Sequence, residues 1–210
     1  MRRALSVNDL LKKKYKLFEF RDNWYDAFSR PARTGIWFIY AGQGQGKTTF
    51  VVQLIKYLAT FEKVVYNSLE ESSEHTIQQV FSKHGMKDVS RRVSITEAEG
   101  LEDMEERMMR RKAPRIWIID TVQYLDMDWD KYRELKRRHH DKLIIFVSHT
   151  ENNMPDGKIA MKIMRDAALK IFISGFVAIS KGRYIGPTGQ YIIWPEKAQL
   201  IWGKKLSIIK

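Results

Sequence analysis

Apolar residues along this chain gather in short runs separated by mixed or polar segments. Ile36 to Tyr40 is one uniformly apolar run, and Leu143 to Val147 is another. Runs of this length read as strands buried on both faces. Between them the spacing changes. From Lys47 to about Thr60 apolar residues recur at helical intervals, after a Gly-rich loop. Further strands are predicted at 63–68, 92–96, 115–120 and 143–148, with helices near 72–84, 101–112 and 129–140. Alternating strands and helices predict an α/β domain: a mainly parallel sheet flanked by helices.

The pattern changes at both ends. Residues 5–20 set Leu5, Leu10, Leu11, Leu17, Phe18 and Phe20 against Lys12, Lys13, Lys14 and Lys16. Part of that stretch predicts an amphipathic helix. Asn23 to Arg33, with Pro31, reads as a connector. From Ile171 the sequence predicts consecutive strands at 171–180, 184–185, 191–194 and 200–202, with a turn at Gly186-Pro187-Thr188-Gly189. These suit an antiparallel edge added to the parallel sheet. The division expected is a basic segment over 1–33, serving as linker or assembly element, and one domain over 34–210.

Charge sharpens this picture. The net charge is +12. Residues 1–40 carry nine Lys/Arg and four Asp/Glu, residues 41–150 eighteen and seventeen, and residues 151–210 ten and four. The excess therefore lies in the two flanks, which suits a polyanionic partner such as DNA. Solubility is the plainer alternative. The absence of cysteine excludes disulfides and thiolate metal sites and suits a reducing, cytoplasmic setting. No apolar run approaches the ~18 residues of a membrane-spanning helix.

The most specific chemistry lies at 41–49, Ala41-Gly42-Gln43-Gly44-Gln45-Gly46-Lys47-Thr48-Thr49. A Gly-rich loop between a buried strand and a helix turns its backbone N–H groups toward phosphate oxygens. The helix N-terminus adds positive potential. Lys47 suits the β- and γ-phosphates of ATP, and the Thr48 hydroxyl suits magnesium. Ala41 stands where the usual pattern has glycine. Ile116 to Asp120 is a buried strand ending in a carboxylate, which suits the water shell of the same magnesium. Asp120 is followed by Thr121, so the glutamate that many such ATPases place there is missing. Glu70, just past the strand at 64–68, is the best candidate general base, and Glu71 is its neighbouring alternative. His139 and His140 read as surface residues of a basic helix. No spacing pairs the histidines as metal ligands.

Together these positions resemble the RecA-like ATPases, and most nearly the branch holding the DnaB-type ring helicases, RadA and KaiC. Ser68-Leu69-Glu70 is similar to the helicase Ser-Leu-Glu-Met segment, which implies Glu70 as catalytic base. Asp120-Thr121-Val122-Gln123-Tyr124-Leu125 resembles the Walker-B strand running into Asp-Tyr-Leu-Gln. Phe146-Val147-Ser148-His149 resembles the strand whose polar end senses the γ-phosphate, which implies that role for His149. A strand-end histidine is the plainer reading. Lys181-Gly182-Arg183 before Gly186-Pro187-Thr188-Gly189 is similar to the Lys-x-Arg … Gly-Pro-Thr-Gly ending. There the basic pair reaches a neighbouring subunit's ATP, which implies a ring or filament of this chain; a solvated turn is the alternative.

The resemblance spans roughly residues 30–203. It departs at Glu71, which replaces methionine, and at Tyr184-Ile185, which add a residue before the turn. Only some 30 residues stand in place of the amino-terminal helicase domain. The stretch Thr150 to Lys170 matches a loop that faces nucleic acid, with Asn152, Asn153, Lys158, Lys162 and Arg165 as candidate DNA contacts. An ordinary loop and helix is the alternative. The function expected is ATP hydrolysis coupled to work on DNA as a homo-oligomer. The alternative is a KaiC-like regulator that does not translocate. A P-loop kinase fits less well, because no Arg-rich lid is evident.

Overall fold

In a computed structural model, residues 4–70 and 75–207 are described. The helices are α1 (Val7–Lys12), α2 (Asp22–Phe28), α3 (Lys47–Leu58), α4 (His75–Lys83), α5 (Leu101–Met109), α6 (Trp129–Arg138), α7 (Lys158–Asp166) and α8 (Pro195–Trp202). The strands are β1 (Gly35–Ala41), β2 (Val64–Ser68), β3 (Val93–Glu97), β4 (Ile116–Asp120), β5 (Leu143–Glu151), β6 (Met154–Pro155), β7 (Leu169–Ser174), β8 (Val177–Gly182) and β9 (Gln190–Ile192). They join in the order β3-β2-β4-β5-β1-β7-β8-β9, with β6 paired to β5. From β3 to β7 the path is parallel, and β8 and β9 then alternate in direction. The fold is therefore α/β, a mainly parallel sheet with an antiparallel C-terminal edge. Among the described residues no helix is long and apolar enough to cross a membrane.

The uniform apolarity of the strands has a direct cause. Successive side chains of a strand point to opposite faces. Trp37, Ile39 and Ala41 of β1 enter a core shared with α3, whereas Ile36, Phe38 and Tyr40 enter a core shared with α5, α6 and α7. Strand β4 divides in the same way: Ile116 and Ile118 face one core, Trp117 and Ile119 the other. Over these runs of β1 and β4 neither face meets water, whereas β3 at the sheet edge is largely exposed.

The first core extends upstream of β1. Phe18, Phe20, Ala27 and Phe28 are buried in it. Residues 22–28 form α2 where a connector was expected. The carbonyls at its C-terminal end explain the Gly-Pro-Thr-Gly turn. Gly186 N–H donates to Ala27, and Thr188 and Gly189 N–H groups donate to Asp26. The backbone is so close there that a Cβ on Gly186 would lie 2.1 Å from the Tyr25 carbonyl oxygen. By contrast α1 has no buried residue, and Leu5, Val7, Leu10 and Leu11 are exposed.

The C-terminal expectation needs correction in three places. Residues 171–180 are two strands, because Gly175 and Phe176 both take positive φ and reverse the chain. Tyr184-Ile185 belongs to a loop, and residues 200–202 end α8 rather than forming a strand. Pro195 at the first helical position starts α8, where its missing N–H costs nothing. His139 is buried, not a surface residue, with Nε2 3.3 Å from a Glu105 oxygen. Burial holds its pKa below the ordinary histidine value, against the pull of Glu105. Glu71, and the start of the helix expected from 72, lie outside the described residues.

Phe20 packs its ring against those of Phe18, Trp24, Trp37, Tyr57 and Phe61. Phe20→Ala is expected to destabilise the fold by about 3–5 kcal/mol, the range for emptying a buried aromatic site. Urea unfolding checks this: the midpoint should fall with little change in slope.

Candidate functional site

The phosphate loop connects β1 to α3. Gly44 and Gly46 carry φ of +72° and +97°, which L side chains rarely adopt. Gly46 has a second constraint, since a Cβ there would stand 2.8 Å from the Phe176 ring. The loop is braced by the β7–β8 turn. The Gln45 side chain accepts from Gly175 N–H at 2.6 Å, and the Gln45 carbonyl accepts from Phe176 N–H at 3.2 Å. Trp202 of α8 holds that turn from behind by donating to the Gly175 carbonyl at 3.1 Å.

Four groups predicted from the sequence meet beside this loop. Lys47 Nζ lies 3.3 Å from His149 Nδ1, 3.6 Å from a Glu70 oxygen and 3.8 Å from Asp120 Oδ1. His149 Nε2 lies 2.9 Å from the same Glu70 oxygen. A lysine ammonium only donates and a carboxylate only accepts. The arrangement is therefore satisfied by a neutral imidazole that accepts at Nδ1 and donates from Nε2. Backbone geometry supplies the convergence. His149 pairs with Ala41 across β5 and β1, and Asp120 pairs with Ser68 across β4 and β2. Beyond β2, Leu69 N–H donates to the Asp120 carbonyl at 2.7 Å, followed by Glu70 N–H at 3.3 Å. These bonds turn Glu70 in beside Asp120.

Asp120 is buried, and burial pushes its pKa above the ordinary carboxylate value. The Lys47 charge and the Tyr66 hydroxyl, which donates to Oδ2 at 2.9 Å, act in the opposite direction. Among the described residues its Oδ1 has no hydrogen-bond partner, and neither do the buried hydroxyls of Ser68 and Thr121 beside it. Buried oxygens are normally satisfied, and a hydrated cation would satisfy this group. The donor set is hard oxygen, which fits magnesium, and Thr48 lines the neighbouring cavity of the phosphate loop together with Lys47 and Glu70.

That cavity has a volume of about 660 Å³. It is lined by Gly42, Gln43, Gly44, Gly46, Lys47, Thr48, Thr49, Glu70 and His149. Four more lining residues, Thr150, Phe176, Trp194 and Lys197, escaped the sequence reading. The Ser174-Gly175 dipeptide was the available signal for Phe176, since it marks a turn inside an apolar run. Nothing local singles out Trp194 or Lys197.

Other predicted residues lie elsewhere. Lys181 pairs with Lys170, which is level with Phe38 in β1. Ala41, where the loop begins, is level with Ile173 and Ala178. Lys181 is thus displaced by about 10 Å along the strands, away from the loop's end of the sheet. Arg183 is further along the same way, its N–H bonded to the Ala168 carbonyl. Asn152 and Asn153 both take left-handed φ between the paired residues Glu151 and Met154. They form the two-residue turn of a tight hairpin. Lys158, Lys162 and Arg165 sit on the exposed side of α7, with Lys162 over the Trp129 ring at 5.5 Å.

No protein-family model and no curated protein sequence matches this chain. Solved structures do match. The flagellar accessory protein FlaH from Methanocaldococcus jannaschii aligns at 15% identity with a TM-score of 0.57, over 83% of this chain and 90% of its own. The KaiC-like protein PH0186 from Pyrococcus horikoshii OT3 aligns at 18% with a TM-score of 0.54, over 77% and 90%. A third solved structure, an ATPase domain, aligns at 17% with a TM-score of 0.52, over 72% and 78%. The fold is RecA-like. In this sheet the loop after β1 sits where the strand order reverses, between β5 and β7. Ligands of open α/β sheets bind at such a crevice beyond the carboxyl ends of the strands.

Gly46→Ala tests how tightly the loop is built. The substitution strains the backbone and drives a methyl group into Phe176. The fold is expected to lose about 1–3 kcal/mol together with nucleotide binding, as read by thermal melts and equilibrium titration with ATP.

Proposed function

We propose that this protein binds ATP with magnesium and hydrolyses it. The observation that carries this reading is the convergence of Lys47, Glu70, Asp120 and His149 beside the phosphate loop, all contacts being within 3.8 Å. The N–H groups of residues 42–49 and the N-terminus of α3 cradle the polyphosphate. Lys47 leaves its carboxylate partners for the β- and γ-phosphate oxygens. Glu70 accepts the proton of the attacking water. His149, already bonded to Glu70, fixes that carboxylate and meets the γ-phosphate from the β5 side. Thr48 and Asp120 hold magnesium, which when bound neutralises charge on the β- and γ-phosphates.

The protein acts as a homo-oligomer, a ring or filament. Lys181 and Arg183 stand too far from their own phosphate loop to serve it, so their catalytic use requires a neighbour's ATP. The basic flanks, with Asn152, Asn153, Lys158, Lys162 and Arg165, contact DNA through its phosphates. A second reading is a nucleotide-dependent regulator that does not act on DNA. The tight 151–154 hairpin favours it, because the exposed segment after β5 is short.

Lys47→Ala should abolish ATP hydrolysis. Glu70→Gln should lower the rate by about 10²–10⁴ while leaving ATP binding within about threefold, since general-base loss acts on chemistry. Wild-type turnover in both variants would overturn the proposal. Arg183→Ala alone should lose about 10³–10⁵ in rate. Mixing it with the Lys47→Ala protein should restore part of that loss, because mixed interfaces pair an intact loop with an intact arginine. No restoration would remove the role in trans. Turnover measured with and without single-stranded DNA separates the two readings. Salt-sensitive stimulation is expected for DNA work and none for the regulator.

A further inference from the structure

The phosphate cavity has a second cation that the hydrolytic residues leave unused. Lys197 lines it together with Phe176 and Trp194. Its Nζ stands 4.1 Å from the Trp194 ring centroid and 4.8 Å from that of Phe176. The two rings are 6.0 Å apart and inclined by 76°, forming a corner around the ammonium. No described carboxylate lies within ion-pair distance of Lys197, whereas Lys47 has two. Lys83 Nζ is also 4.0 Å from the Trp194 centroid, so a second ammonium crowds the same ring. Lys197 lies in the first turn of α8 as well. A cation is disfavoured there by the helix dipole, so helix stability does not account for it.

We propose that Lys197 is a second phosphate-binding ammonium, parked on Phe176 and Trp194 and drawn onto the polyphosphate when nucleotide binds. An exposed cation–π contact is weaker than a charge-assisted hydrogen bond to phosphate, so the exchange runs toward the ligand. The corner is within reach of the loop: the Phe176 ring abuts Gly46, and the lysine stem is long and flexible. Departure of the ammonium also bares ring faces of Phe176 and Trp194 on the cavity side. Loop occupancy and the state of the aromatic corner thus change together. This proposal rests on the reading of the cavity as a triphosphate site.

The test is calorimetric titration of the full chain with magnesium-ATP and, separately, with inorganic tripolyphosphate. Lys197 is exposed, so its substitution leaves the fold intact. Lys197→Met keeps the stem on the rings and removes the charge. It should weaken both ligands about tenfold, and Lys197→Arg should recover most of that. Tripolyphosphate should also change tryptophan emission in wild type, and Trp194→Phe should remove that change. Wild-type affinity of Lys197→Met for tripolyphosphate, while Lys47→Ala binds it weakly, would overturn the role of Lys197 and leave the phosphate site standing. Undiminished binding by Lys47→Ala would remove the phosphate site itself, and this proposal with it.

Discussion

Burial of the sheet on both faces is the constraint from which the rest of this structure follows. With helices covering each side, the backbone polar groups of β1, β2, β4 and β5 have only neighbouring strands to bond to. Register is then set by alternation between two dry cores, since a slip of one residue would exchange the side chains of the two faces. The carboxyl ends of these strands are held level as a result. Asp120 ends β4 beside Ser68, and His149 stands beside Ala41. Groups far apart in sequence reach hydrogen-bond distance because their strands are level.

That edge concentrates charge where solvent is scarce. Asp120 is buried next to Tyr66, and its ionised form is supported chiefly by Lys47. Burying such a pair is costly, and removing one partner costs more, because the other is left uncompensated. Lys47 is divided among Glu70, Asp120 and His149, none of them at the short distance of a committed ion pair to a carboxylate. Such an ammonium is pre-oriented yet free to transfer to a stronger anion. The orphaned oxygens of Asp120, Ser68 and Thr121 express the same incompleteness from the acidic side.

The phosphate loop is also held from the far end of the chain. Gln45 is bonded to the β7–β8 turn, Trp202 supports that turn, and the Gly186–Gly189 turn caps α2. The antiparallel edge therefore works as a brace. It places Phe176, Trp194 and Lys197 at the loop's own cavity. Lys181 and Arg183 are carried toward the opposite end of the strands.

Periodicity alone determined the α/β class, the buried strands and the helix after the phosphate loop. Each of those depends on local spacing and on whether a strand face meets water. The residue types of the loop, Asp120 and Glu70 were legible for the same reason, since strand ends and Gly-rich turns are local features. What tertiary structure alone decided was non-local. The burial of His139 depends on Glu105 lying across from it, and the formation of α2 depends on the distant turn that caps it. The reversal at Gly175-Phe176 was hidden because both arms of the hairpin are apolar and read as one run. Trp194 and Lys197 enter the cavity only because β8 and β9 fold back beside β7, and no spacing along the chain encodes that approach. Lys181 and Arg183 were visible as a motif. Their distance from their own loop was not, because it follows from strand direction, which only pairing reveals.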